Sequence, residues 1–404
     1  MRVGIFTDQY YPAVSGVVTS IKMLYEGLES LGHECFIFTS FNEKKLSKKV
    51  RDSIYSKKVI NIKGMNYPFK VIKNLRFTFF PGKFVKLVAE YNLDVIHVQT
   101  EYSISKVAIK ASKKLNIPIV HTLHTSWKDY IQCLFPIIDK GFHKQLLWLE
   151  KKWFTGPISK ASEIEIIPSK KIVQDLSLYG MDNDVEIVPT GIELEMFNNE
   201  AIKQEEIADL REKLGINKDD FVFSYVGRTS KEKNIKIIID AFGDTFKNNN
   251  DVKLLIVGGG PSFDDLIDIA NRYESTDNII FTDWVPWEKT PLYYKASNVF
   301  INASKTETQG LTYIEALASG TPALVQKDEA IEGVVEEGYN GYIFDGIDDL
   351  KSKMKYIYDN KKNIDEIRKN CYNSITKFSK EIFSKRILSI YIKAIENYNG
   401  KKEN

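Results

Sequence analysis

Short, continuously apolar runs alternate with helix-length amphipathic stretches, and the alternation occurs twice along the chain. The first series predicts strands at 2–7 (RVGIFT), 34–39 (ECFIFT), 94–99 (DVIHVQ), 117–123 (IPIVHTL), 163–168 (EIEIIP) and 185–189 (VEIVP), with helical stretches such as 16–31 and 104–115 between them. The second predicts strands at 221–227, 252–257, 278–281, 298–303, 322–326 and 341–344. Unbroken apolar runs, rather than in–out alternation, are what strands buried on both faces of a parallel sheet require, and βα repetition makes each series doubly wound. Residues 192–218 are charged and poor in strand formers, and read as a connector. The expected architecture is α/β: two Rossmann-like domains, 1–195 and 196–377, facing each other across a cleft. Residues 378–404 are expected as one or two closing helices that pack back toward the first domain.

Composition narrows the class further. A chain of 404 residues exceeds what one core usually holds, and 43% hydrophobic with 27% charged residues suits a globular protein. Cys35, Cys133 and Cys371 are too scattered for a disulfide framework or a thiolate zinc site. No apolar run approaches the ~20 residues of a membrane span, and MRVGIFTD reads directly as a first strand, so a cytoplasmic protein is expected. Charge is polarised: residues 1–160 carry 25 basic against 12 acidic side chains, and residues 161–404 carry 31 against 42. Such a basic half suits either an anionic membrane face or a nucleic acid.

Three elements can carry chemistry. After the first strand, a loop with Ala13, Ser15 and Gly16 leads into a helix, a junction that points free N–H groups and a positive dipole end at a ligand. No G-x-G-x-x-G follows, which disfavours a dinucleotide enzyme. In VGRTSKEKN, Arg228 and Lys233 follow a strand that ends at Gly227, where two cations can neutralise a pyrophosphate. In INASKTETQGLTYIEALASG, Glu307 precedes a helix and Glu315 lies within it, with the amides of Gly310, Leu311 and Thr312 between them. An anion site flanked by carboxylates matches a nucleoside diphosphate sugar, whose hydroxyl-rich rings flank a pyrophosphate.

The Glu307–x7–Glu315 pair, Gly227-Arg228…Lys233 and the turn Pro189-Thr190-Gly191-Ile192 resemble the retaining family-4 glycosyltransferases of the GT-B fold, in order over nearly the whole chain. By that resemblance Gly16, Arg228, Lys233 and the amides of Gly310 and Leu311 contact the donor phosphates. Glu315 holds the ribose, Glu307 the 3- and 4-hydroxyls of the sugar, and Val285 reads the base through its backbone. His124 matches the family histidine near the reacting carbon, while His121 is expected to point elsewhere. His33 and His97 read as structural, and His143 has no evident role. The chain departs from the pattern at Ser15-Gly16, where Gly-Gly is common, and at Thr308-Gln309-Gly310, where a Gly-Phe-Gly type segment is common.

With no second carboxylate evident at the ~5 Å of a double-displacement pair, same-face substitution with retention is expected. Asp182 and Asp184 precede a strand and read as loop, so no metal and no tightly bound cofactor are expected beyond the UDP-sugar donor.

The family binds its acceptor in the N-terminal domain, here the basic half. Aromatic and basic residues mix in 74–88 (Arg76, Phe77, Phe80, Lys83, Lys86) and in 143–154 (Trp148, Lys151, Lys152, Trp153), as in helices that lie in an anionic bilayer interface. No nucleic-acid motif accompanies them. FTDQYYP, HTLHTSWKDY and SKTETQGLTYIEA resemble bacterial diacylglycerol glucosyltransferases, implying glucose transfer to 1,2-diacylglycerol by a peripheral protein on the inner membrane face. The alternatives are transfer to a soluble sugar or another glycolipid, a nucleotide-sugar epimerase, and a non-catalytic nucleotide-sugar or membrane binder. The sequence leaves the oligomeric partner open.

Overall fold

The computed structural model describes the chain except for residues 12, 14, 42–46, 49–50, 53–57, 67–75, 79, 135–139, 199 and 404. It divides into two units, Met1–Gly191 with Lys380–Asn404, and Ile192–Ser379.

Among the described residues, the first unit is built on β1 (Arg2–Phe6), β2 (Glu34–Thr39), β3 (Val59–Asn61), β6 (Val95–Val98), β7 (Ile119–Thr122), β8 (Ile164–Ile167) and β9 (Val185–Ile187). They form one sheet in the order β3-β2-β1-β6-β7-β8-β9, and every pairing is parallel. β3 was not expected from sequence; its three residues follow a lysine-rich stretch whose charge obscures the apolar run. A short antiparallel pair, β4 (Met65–Asn66) with β5 (Arg76–Phe77), stands apart from this sheet. The core carries Phe6, Phe36, Phe38, Ile96, Val98 and Ile119 under helix Ser103–Leu115, with Phe6 and Phe38 stacked at 4.5 Å. The closing segment is a single helix, Lys380–Glu403. It buries Ile387, Ile390, Tyr391 and Ala394.

The second unit holds β10 (Phe221–Val226), β11 (Val252–Val257), β12 (Ile279–Thr282), β13 (Val299–Asn302), β14 (Ala323–Gln326) and β15 (Gly341–Phe344) in the order β12-β11-β10-β13-β14-β15, again all parallel. Its strands explain the unbroken apolar runs. Phe221, Phe223 and Tyr225 enter the core on one face, and Val222 and Val226 enter the core on the other. Leu254 and Ile256 alternate in the same way with Leu255 and Val257.

In each sheet the connection reverses direction beside the first strand of the series, between β1 and β6 and between β10 and β13. Loops at the carboxyl ends of such neighbours splay apart, and this is where doubly wound sheets hold ligands.

Candidate active site

In the second unit the two loops at the reversal point meet through side chains. Lys233, after β10, donates from Nζ to Glu307 Oε1, after β13, at 2.5 Å, with both side chains mostly covered. Arg228 lies on the same loop, 60% exposed, and pairs with Glu232, whose carboxylate also accepts from Ser230 Oγ at 2.5 Å. Tyr225 clamps this loop by donating its hydroxyl to the Arg228 carbonyl at 3.0 Å. Close backbone packing supports it from below: a Cβ on Gly258 would sit 2.2 Å from the Gly227 carbonyl oxygen.

Gly310 caps helix Leu311–Ala318 with φ +74, and a Cβ there would lie 2.3 Å from the Tyr313 ring. The position therefore demands glycine on both conformational and steric grounds. Behind it, Leu311 and Thr312 open the helix, and the amides of a first turn point outward without helical partners. Glu315 is not an exposed helical glutamate. It is 6% exposed, its Oε1 accepts from Trp287 Nε1 at 2.9 Å and its Oε2 from Tyr294 OH at 3.0 Å. Burial pushes its carboxyl up to about 7 against the pull of those two donors. Each oxygen retains acceptor capacity for one further hydroxyl. Val285 packs against the core beside exposed Trp284.

In the first unit, Gly16 is the exposed first residue of helix Gly16–Ser30, and Ser15 caps the helix by accepting from Val18 N at 3.4 Å. Gly16 does not adopt positive φ, so what glycine supplies there is a bare helix end. His124 is half-buried at the end of β7, with Nε2 2.7 Å from Gln99 Oε1, and burial together with nearby His121 holds it down at about 3.

Several residues that the sequence reading passed over stand around these. Asp8 is buried after β1; its Oδ1 accepts from the amides of Ser103 and Ile104 at 3.0 and 3.1 Å, and its Oδ2 from Thr100 Oγ1 at 2.8 Å. Desolvation raises it to about 6 despite these donors. Ser103 Oγ also donates to the Arg76 carbonyl at 3.0 Å, which ties β5 to the same cluster. His121 is buried with Glu165 Oε2 2.6 Å from Nδ1 and Glu101 Oε1 3.4 Å from Nε2. Burial opposes its charge, but the Glu165 and Glu101 carboxylates prevail and hold it up at about 10. His97, expected only as core, is buried yet bonded to Gln99, Thr122 and Tyr391. A signal for these was present: polar residues inside otherwise apolar strand ends, at Asp8, Gln99 and Glu165, demand partners.

The two aromatic–basic segments separate on inspection. The first is not one helix: β5 is followed by Phe80 at φ +58 and a turn of 3-10 helix over Pro81–Phe84, because proline starts a helix but cannot continue one. Phe80 is 69% exposed with Lys83 Nζ 4.8 Å from its ring centroid, Lys86 is exposed, and Phe84 packs inward. The Arg76 guanidinium is engaged by the Gly64 carbonyl. The side chain of Phe77 lies outside the described residues, as does Phe79. In the second segment, helix Lys140–Glu150 runs into a π-turn over Lys151–Thr155. In an α-helix, residues five apart diverge by about 140°. The wider turn instead brings Trp148 and Trp153 to either side of Lys152, whose Nζ lies 4.7 and 5.5 Å from their ring centroids. Both tryptophans are more than half exposed, whereas Leu147 and Phe154 pack inward. Lys151 is occupied, donating to the Ser177 carbonyl at 3.0 Å.

Among the described residues no cluster of His, Cys, Asp or Glu is arranged to hold a metal ion, and no helix is long and apolar enough to cross a membrane. Asp184 lies 3.7 Å from Lys393 Nζ.

Comparison with known proteins adds identity to this geometry. The family model Glycosyltransferase Family 4 matches residues 14–196, and Glycosyl transferases group 1 matches residues 206–378. An alpha-monoglucosyldiacylglycerol synthase of Acholeplasma laidlawii is 35% identical over 99% of this chain and 99% of its own. One from Streptococcus pneumoniae is 35% identical over 100% of this chain and 88% of its own. Anabaena HepE, solved in complex with UDP-glucose, shares the fold with a TM-score of 0.73 over 96% of this chain and 99% of its own, at 17% identity. This chain belongs to the family-4 glycosyltransferases of the GT-B fold, in company with these two synthases.

Proposed function

We propose that the protein transfers glucose from UDP-glucose, with retention, to 1,2-diacylglycerol at the inner face of the cytoplasmic membrane. The observation that carries this reading is the end-to-end 35% identity to two proteins named alpha-monoglucosyldiacylglycerol synthase. The exposed Trp148–Lys152–Trp153 and Phe80–Lys83 pairs favour a lipid acceptor over a soluble sugar, since such apolar surface is costly in water and suits an anionic interface.

Breaking the sugar–phosphate bond leaves negative charge on the diphosphate and positive charge on the ring. Arg228, Lys233, the helix end at Gly16 and the amides of Gly310, Leu311 and Thr312 are assigned to the first charge, where their effect is greatest in the transition state. Glu307 accepts from the sugar's 3- and 4-hydroxyls, Glu315 from the ribose, and Val285 meets the base. His124 approaches the sugar near its reacting carbon. The bond from the acceptor oxygen to the anomeric carbon forms on the face from which the phosphate leaves, and that phosphate oxygen takes the acceptor's proton. In the first unit, the carboxylates of Asp8, Glu101 and Glu165 are engaged by buried partners, which disfavours a covalent intermediate on any of them. No metal enters this scheme.

The test is purified protein with a panel of UDP-sugars and diacylglycerol in anionic vesicles, the product identified by linkage. An α-linked monoglucosyl lipid is expected. Donor turnover without acceptor, or transfer only to soluble sugars, would overturn the assignment.

A further inference from the structure

Four side chains of the first unit form a hydrogen-bonded file that ends on His124. Tyr391, on the C-terminal helix, meets His97 Nδ1 at 2.7 Å across 294 positions of sequence. His97 Nε2 faces Thr122 Oγ1 at 2.7 Å and the Gln99 amide nitrogen at 3.0 Å, and Gln99 Oε1 lies 2.7 Å from His124 Nε2. Tyr391, His97, Thr122 and Gln99 are all buried. An amide nitrogen only donates and its oxygen only accepts. His97 Nε2 therefore carries a lone pair, which also receives the Thr122 hydroxyl, and Nδ1 carries the hydrogen directed at Tyr391. At the other end, the Gln99 oxygen requires a hydrogen on His124 Nε2. Burial keeps His124 neutral at ordinary pH, so its lone pair is on Nδ1.

We propose that Gln99, seated by His97 and Tyr391, is a positioning residue that locks His124 in the Nε2–H tautomer and makes Nδ1 the atom that accepts from a sugar hydroxyl. The inference rests on the role assigned to His124 above. Polarity is the point: the other tautomer would turn an N–H toward the same hydroxyl and reverse the hydrogen bond. The file also gives the C-terminal helix a share in the chemistry, because Tyr391 sets the ring that sets the amide.

The test uses full-length protein with isotope-labelled histidine, feasible by NMR because the chain has only 5 histidines. The ring-nitrogen signals of His124 report its tautomer directly, without reference to activity. Nε2–H is expected in the unsubstituted protein. Gln99→Met should give a mixture of tautomers and lower kcat about tenfold or more, with KM for the nucleotide sugar unchanged. Tyr391→Phe, which removes one partner of His97 but leaves the Gln99 amide in place, should fall between. An Nδ1–H signature in the unsubstituted protein overturns the inference, as does a Gln99→Met protein with unchanged tautomer and kcat. Should His124→Ala retain full kcat, the role of His124 fails instead, while the tautomer signals still decide what Gln99 does.

Discussion

Lys233 Nζ donates to Glu307 Oε1 at 2.5 Å, joining the loops after β10 and β13. The contact puts a cation and a carboxylate at one point, which is what the junction between a diphosphate and a hydroxyl-bearing sugar needs. A charge pair near the surface holds the fold by only about 0–1 kcal/mol, because solvent already screens it. The service proposed for Lys233 toward the departing diphosphate is larger. Lys233→Ala is expected to lower kcat by two to three orders of magnitude, about 3–4 kcal/mol, as loss of a charge-stabilising donor does elsewhere. The melting temperature should barely move. Steady-state kinetics beside a thermal melt separates the two, and an unchanged kcat would remove Lys233 from the scheme.

Glu315 supplies a prediction about pH. Its carboxyl ionises at about 7 when folded, against 4.5 as the ordinary value. Between those values the folded chain keeps a proton that the unfolded chain has released, so this residue makes stability fall as pH rises through the window and leaves it flat above. Glu315→Gln cannot ionise and should lose that slope. In denaturant unfolding at about pH 5 and about pH 8, the two proteins should differ in their pH dependence by on the order of 2–3 kcal/mol. Parallel curves would show that Glu315 is ionised in its Trp287–Tyr294 niche.

How much of this could be read from sequence follows from what each feature depends on. Phe221 to Val226 is legible because a strand buried on both faces is apolar nearly throughout, here at every position but Ser224. Arg228, Lys233 and Glu307 are legible because their spacing follows strand ends. The lysine-rich stretch before it hid β3, and the contacts of Asp8 and Tyr391 span the sequence too widely for local pattern to reveal them. In the basic segments, a lysine beside an aromatic reads alike whether the ring faces water, as Trp153 does, or rests half-buried against Tyr102, as Phe154 does. The π-turn that parts those two neighbours has no sequence signature.

His121 carries the same sign of pH dependence as Glu315, in a more alkaline window. Glu165 and Glu101 hold its folded value at about 10, above the ordinary 6.5. The stabilisation is complete below 6.5 and is lost as pH rises through about 10. His121→Asn should flatten that alkaline loss, and it should destabilise the protein near neutrality by about 3–5 kcal/mol, since Glu165 and Glu101 would then be buried without a cation. Urea midpoints across the alkaline range provide the measurement, and a slope that survives the substitution would place the titration in another group.

The last prediction concerns the proposed membrane contact. Trp148 and Trp153 flank Lys152 on the outside of the first unit, so replacing both with serine removes apolar area without opening the core. Surface changes of this kind usually alter stability by no more than about 0.5 kcal/mol. Binding to vesicles should respond strongly, because tryptophan supplies the interfacial anchor and lysine near an anionic surface adds about 1 kcal/mol per charge. The two contributions part with salt: charge attraction fades once the screening length drops below about 8–10 Å, while the aromatic contribution remains. Co-sedimentation with anionic vesicles should therefore show the unsubstituted protein keeping part of its binding at high salt and the double variant losing nearly all of it. Transfer to a detergent-dispersed acceptor should be unaffected in both. Equal vesicle binding by the two proteins at every salt concentration would move the membrane contact away from this π-turn.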